Sequence, residues 1–128
     1  MSRVEADRDP FSPLRGELPL IHATPTRILR TTSRENVFYF FASVGNYTGQ
    51  RATSLEDFAH KIAKVETTSL EFHLYRGDFE RWMAEVLEDR ELARRIGDLK
   101  HLEPVGNALR DQLLFTVSKR LEELRSSE

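Results

Sequence analysis

Apolar residues along this chain recur mostly at helical spacing. Leu55, Phe58, Ala59, Ile62 and Val65 fall at i, i+3, i+4, i+7 and i+10, the stripe of one helix face. Thr53 and Glu56 stand ahead of it with the spacing of a capping box. Phe79, Trp82, Met83, Val86 and Leu87 make a second stripe, opened by Asp78, whose carboxylate can accept from first-turn N–H groups. Asp89 is the expected cap of a short third helix with Leu92, Ala93 and Ile96 inward, stopped at Gly97 and supported by the Glu91–Arg95 pair on its outer face. The last pattern is the longest. After Pro104, a residue suited to a first helical turn, Leu109, Leu113, Val117, Leu121 and Leu124 run down one face, and Leu114 and Phe115 widen the stripe.

Two segments fit either periodicity. Thr32 and Glu35 have capping-box spacing ahead of Val37-Phe38-Tyr39-Phe40-Phe41-Ala42, which predicts a helix, yet an aromatic run also has high strand propensity. Ser69 is placed to cap Leu70-Glu71-Phe72-His73-Leu74-Tyr75, where Leu70, Phe72 and Leu74 alternate as they would in a strand. Helix and strand stay open for residues 36–44 and 69–75. Gly45-Asn46-Tyr47-Thr48-Gly49 supplies turn chemistry between these patterns, and Gly77 ends the second.

Residues 1–26 read differently. They hold four of the five prolines among mixed charges, and proline removes backbone donors and disfavours helix at the preceding residue. A disordered tail is expected there, with Leu18, Leu20 and Ile21 able to pin its end onto the domain. The expected architecture is therefore a tail (1–26) and one small all-α domain (27–128) closed by a long C-terminal amphipathic helix.

Composition narrows the chemistry. The 128 residues suffice for one domain. With no cysteine, disulfides, Cys-ligated metals and thiol catalysis are excluded. A net charge of -2 argues against a dedicated nucleic-acid binder, and no apolar run approaches a membrane span or a signal-peptide centre. A cytoplasmic location is expected. The four histidines lack the i,i+3 or i,i+4 spacing of helix-borne metal ligands, so neither metal nor cofactor is expected. Gly45 and Gly49 lack the Gly-Lys-Ser/Thr of a phosphate-binding loop, and no nucleophile elbow is present. Arg94 and Arg95 lie in a stretch faintly like a helix-turn-helix turn, but the following Asp98–Glu103 is too short and acidic to read DNA. Arg27, Arg30 and Arg34 form a second basic cluster, most simply a solvated face.

Ten of the twelve aromatics lie between Phe38 and Trp82, and polar and aromatic groups mix most densely from Leu70 to Trp82. His73, Arg76, Asp78 and Trp82 are brought together by one sharp turn between two short helices. An imidazole, a guanidinium fork and an indole face can hold a phosphate or a sugar. The same residues also read as packing: Asp78 as a cap, His73 as a hydrogen-bonded core histidine, Arg76 as an ion-pair partner, Trp82 as core.

The succession Phe38-Tyr39-Phe40-Phe41, Tyr47-Thr48-Gly49, Ser54-Leu55-Glu56-Asp57-Phe58, Ser69-Leu70-Glu71-Phe72-His73, Asp78-Phe79-Glu80-Arg81-Trp82 and Asp89-Arg90-Glu91-Leu92-Ala93 resembles a family of short bacterial and archaeal proteins with a domain of unknown function. The resemblance spans about residues 27–125. It implies a helical fold and no established catalytic residues; its histidine and its Asp-Phe-x-x-Trp block fall on His73, Asp78, Phe79 and Trp82. The proline-bearing tail and Asn107 in the last helix depart from it. Two functions remain. One is a non-enzymatic interaction or regulatory module, with a protein partner or self-association through helical surfaces and no nucleic acid or membrane. The other is a small-ligand binding or processing protein, for a phosphate- or sugar-bearing compound, with a site at His73, Arg76, Asp78 and Trp82. A cavity of some hundreds of Å³ at those residues separates them.

Overall fold

The computed structural model describes residues 23–127. The tail expected over 1–26 lies outside the described residues as far as residue 22, as do Leu18, Leu20 and Ile21. Pro25 and Thr26, its last two residues, instead begin a one-turn helix, α1 (Pro25–Ile28), capped by the Thr24 side chain.

The all-α expectation is overturned by a β-hairpin. After a 3₁₀ turn over Arg34–Asn36, strand β1 (Phe38–Ser43) pairs antiparallel with β2 (Asn46–Ala52). Thr32 and Glu35 do not open a helix, because the aromatic run follows its strand propensity: Phe38 and Phe40 point inward while Tyr39 between them is exposed. The turn is only Val44-Gly45, with Gly45 at φ +77°, and what looked like further turn residues is the first half of β2. Pairing shifts between Phe40 and Phe41, where β2 carries extra residues and Gly49 takes φ +87°.

The rest is helical: α2 (Leu55–Ile62), α3 (Thr67–Arg76), α4 (Asp78–Arg81) continuing into a π-helical turn (Trp82–Val86), α5 (Arg90–Leu99) and α6 (Gly106–Ser126). Residues 69–75 are thus helix, with Ser69 buried inside α3 rather than capping it. The cap of α2 is shifted by one from expectation: Ser54 Oγ accepts from the Asp57 N–H, and the Asp57 carboxylate accepts from the Thr53 N–H. Asp89 caps α5 as expected, accepting from the Leu92 N–H. Gly97 does not stop α5. It sits inside the helix, where a Cβ would collide with the Glu80 carboxylate of α4 at 2.5 Å.

Two layers of packing hold these elements. An aromatic centre joins β1 to α2, α4 and the π-turn: Phe40 stacks on Phe58 at 5.6 Å, Phe58 on Trp82 at 5.6 Å, and Phe38 meets both Phe58 and Trp82 edge-on. Leu109, Leu113, Val117, Leu121 and Leu124 bury the predicted face of α6 against α2, α3 and α5. Phe115 does not widen that stripe; it is 70% exposed. Polar contacts set the register of α6. Glu71 accepts from the Gly106 N–H at its start, Arg110 donates to the Ile62 and Val65 carbonyls at the end of α2, and Arg120 forks onto the buried Asp89.

Candidate functional site

Gly77 creates the site. Its φ of +79° ends α3 in a left-handed residue, and α4 begins at the very next position. The reversal folds Asp78 back over the last turn of α3. Asp78 therefore serves no helix cap among the described residues; Oδ2 lies 2.8 Å from His73 Nδ1, Oδ1 accepts from Arg81 Nη1 at 3.0 Å, and Arg76 Nε stands 3.4 Å away.

The other ring nitrogen of His73 fixes its state. The Phe41 backbone N–H donates to Nε2 at 2.8 Å, and a backbone amide can only donate, so Nε2 carries no proton and Nδ1–H donates to Asp78. His73 is thus a neutral imidazole clamped between β1 and α4. It is 4% exposed and packed by the rings of Phe38, Phe72 and Phe79 at 4.8 to 5.6 Å. Burial pushes its pKa below the ordinary 6.5 and outweighs the opposing pull of the Asp78 charge. For Asp78, burial raises the pKa, but the hydrogen bonds from His73 and Arg81 and the Arg76 charge prevail and hold the carboxyl below its usual range.

Trp82 is core, 6% exposed, with its indole N–H donating to the Asn36 carbonyl at 2.8 Å. Its edge, together with His73, Arg76 and Asp78, borders a cavity of about 500 Å³ between β1 and the α3–α4 reversal. All four expected residues thus reach one concavity. Val37 lines it from just before β1, Phe38, Tyr39, Phe41 and Ser43 from the strand, Phe72 from α3, and Arg81, Glu85 and Val86 from α4 and the π-turn. Arg81, not singled out in the sequence, belongs with them; its i,i+3 spacing from Asp78 was the available signal. Nothing local foretold the Phe41 amide, which comes from 32 residues away.

Of the other basic residues singled out in the sequence, Arg27, Arg30, Arg94 and Arg95 have partners among the described residues. Arg94 pairs with Glu91 and Asp98, and Arg95 with Glu91 and Glu123, leaving neither free to hold a phosphate backbone. Arg27 pairs with Glu88, and Arg30 donates to the Arg27 and Val86 carbonyls. Among the described residues no three His, Asp or Glu side chains converge as a metal site, and no helix is long and apolar enough to cross a membrane. No known protein family, curated protein or solved structure matches the chain.

Proposed function

We propose that the protein is a non-enzymatic binding module whose recognition site is the cavity between β1 and the α3–α4 reversal, which takes a small ligand. The cavity itself carries this reading: about 500 Å³, within the range of small-molecule sites, walled by aromatic and aliphatic side chains with a few polar groups at its margin. Catalysis is disfavoured by how those polar groups are used. A general base needs a free lone pair of sufficient basicity: the Nε2 lone pair of His73 already receives the Phe41 amide, and Asp78, held by His73 and Arg81, has its pKa below the usual carboxylate range. Docking through the outer face of α6 has less support, since among the described residues its strongly exposed large hydrophobic is Phe115 alone, and single surface apolar residues are ordinary.

Trp82, the chain's one tryptophan, borders the cavity and supplies a built-in fluorophore. Titration with anilinonaphthalene sulfonate, an aromatic amphiphile, should quench Trp82 saturably and with one-to-one stoichiometry. Val86→Phe, which fills the cavity from the π-turn, should abolish that response while the circular dichroism spectrum stays that of the parent. Quenching that never saturates, or that Val86→Phe leaves intact, would sink the reading.

A further inference from the structure

We propose that the ligand of this cavity is an amphiphilic monoanion: an apolar body seated between β1 and the α3–α4 reversal, and one carboxylate at the mouth held by the guanidinium of Arg76. The inference rests on the cavity being a binding site and adds what binds there.

The interior dictates the apolar body. On the wall formed by α3, α4 and the π-turn, both nitrogens of His73 and the indole N–H of Trp82 are already partnered, and both oxygens of Asp78 already accept. A hydroxyl or amide pressed against that wall would find no partner there, which is costly. Sugars and bare inorganic phosphate are therefore poor occupants, and an alkyl or aryl group is a good one.

The mouth dictates the charge. Arg76 is half-exposed, its Nε faces Asp78 at 3.4 Å, and its guanidinium lies 4.6 Å from the centre of the Phe72 ring. Those two contacts orient the fork. Among the described residues neither Nη1 nor Nη2 donates a hydrogen bond to the protein, so the end of the fork is available for bidentate recognition of a carboxylate. Arg81 is less available, because Nη1 donates to Asp78 and Nη2 to the Arg76 carbonyl. Glu85 also borders the cavity and would favour a cation, but among the described residues no ion pair or hydrogen bond holds its carboxylate in place. A fixed fork loses less freedom on binding than a mobile carboxylate, so the preorganised arginine decides the sign.

Three probes of equal chain length separate the possibilities: decanoate, decanol and decylammonium, each titrated below its aggregation concentration with Trp82 fluorescence as the readout. Decanoate should bind about tenfold more tightly than the other two. Arg76→Gln should bring decanoate to within about twofold of decanol, while the decanol affinity stays at the parent value. Equal affinities for decanoate and decanol, or tighter binding of decylammonium, would overturn the assignment of an anion and leave the cavity as a binding site. Failure of all three probes to perturb Trp82 would overturn the binding site as well.

Discussion

His73→Ala is the perturbation that most directly weighs packing against recognition, because the imidazole does two separable things. It accepts the Phe41 amide and donates to Asp78, and it fills space among Phe38, Phe72 and Phe79. Removal leaves the Phe41 N–H without its acceptor in a partly buried position, at a cost of about 1–3 kcal/mol. Lost packing of a nearly fully buried ring adds about 1–2 kcal/mol. Asp78 keeps Arg81 and Arg76, so its charge is not stranded. The sum is about 3 kcal/mol, a large part of the roughly 5–15 kcal/mol that holds a domain together, and it should lower Tm by about 10 °C. Urea denaturation followed by far-ultraviolet circular dichroism measures it. A His73→Ala protein within about 0.5 kcal/mol of the parent would refute the clamp.

The same clamp predicts a pH dependence with a definite sign. In the folded protein the His73 pKa lies below 6.5, chiefly through burial, while in the unfolded chain it returns to about 6.5. Below that pH the unfolded chain takes up a proton the folded one refuses, since protonated Nε2 would face the Phe41 N–H donor to donor. Stability contributed by the neutral ring is thus fully present above about pH 6.5 and declines as pH falls towards the folded pKa, at up to about 1.4 kcal/mol per pH unit. Asp78 faces His73 and stays ionised through this window, because its own pKa is held below the ordinary carboxylate range. His73→Gln keeps an acceptor for the amide and cannot titrate, so its stability should decline less between about pH 6.5 and pH 5. Identical slopes in the two proteins would show that the folded imidazole is not held neutral.

Four further outcomes follow from the geometry. Trp82→Ala should cost about 3–5 kcal/mol in urea denaturation, since it empties the aromatic centre and frees the Asn36 carbonyl. Asp89→Ala should cost about 3–5 kcal/mol by the same assay, because it removes the α5 cap and leaves the Arg120 guanidinium without its buried partner. Gly45→Val should lose about 1–2 kcal/mol, the expense of a branched side chain at φ +77° in the hairpin turn, and thermal melting reads it. The Glu91 carboxyl, hydrogen-bonded by Arg94 and Arg95, has its pKa lowered to about 2, so its carbon resonance in an NMR titration should move only at the acid end.

The parts of the fold legible in the sequence were those fixed by local spacing with one face buried. The α6 stripe and the Asp89 cap follow directly from residue positions, because a long helix repeats its signal over several turns. The hairpin was not legible as such, for two reasons. Phe38 to Phe41 is apolar at every position, so periodicity cannot choose between helix and strand. Its partner, Asn46-Tyr47-Thr48-Gly49-Gln50-Arg51-Ala52, is a mostly exposed strand interrupted by a bulge glycine, and it reads as a loop. At the site the turn at Gly77 was visible, and with it the meeting of His73, Arg76, Asp78 and Trp82. What the sequence could not supply is the hairpin edge on the other side, because the amide that decides the protonation of His73 belongs to a strand the pattern did not reveal.

Outside the hairpin, irregular backbone among the described residues falls at two places, the α5–α6 connection, with Glu103 at φ +51° and Gly106 at φ +58°, and the α3–α4 reversal with its π-turn, and the second bears on function. Gly77 breaks α3 from α4 with a left-handed residue; five residues later the π-turn begins and inserts an extra residue, with the Leu87 N–H reaching the Trp82 carbonyl; Glu88 then takes φ +67°. Each departure re-aims side chains. The first brings Asp78 onto His73, and the second lets Trp82 pack beneath the hairpin while Glu85 and Val86 border the cavity. By contrast α2, α5 and α6 are regular helices with capped or anchored starts. A straight helix from Thr67 to Leu87 would have kept more intrahelical hydrogen bonds and placed Asp78 one and a half turns from His73, away from its ring. Departures of this kind are more often retained where a site needs them than where packing alone is at stake. Their position beside one cavity, edged by an arginine that is paired through Nε alone among the described residues, is therefore the strongest reason to look for the protein's function there and not on the regular face of α6.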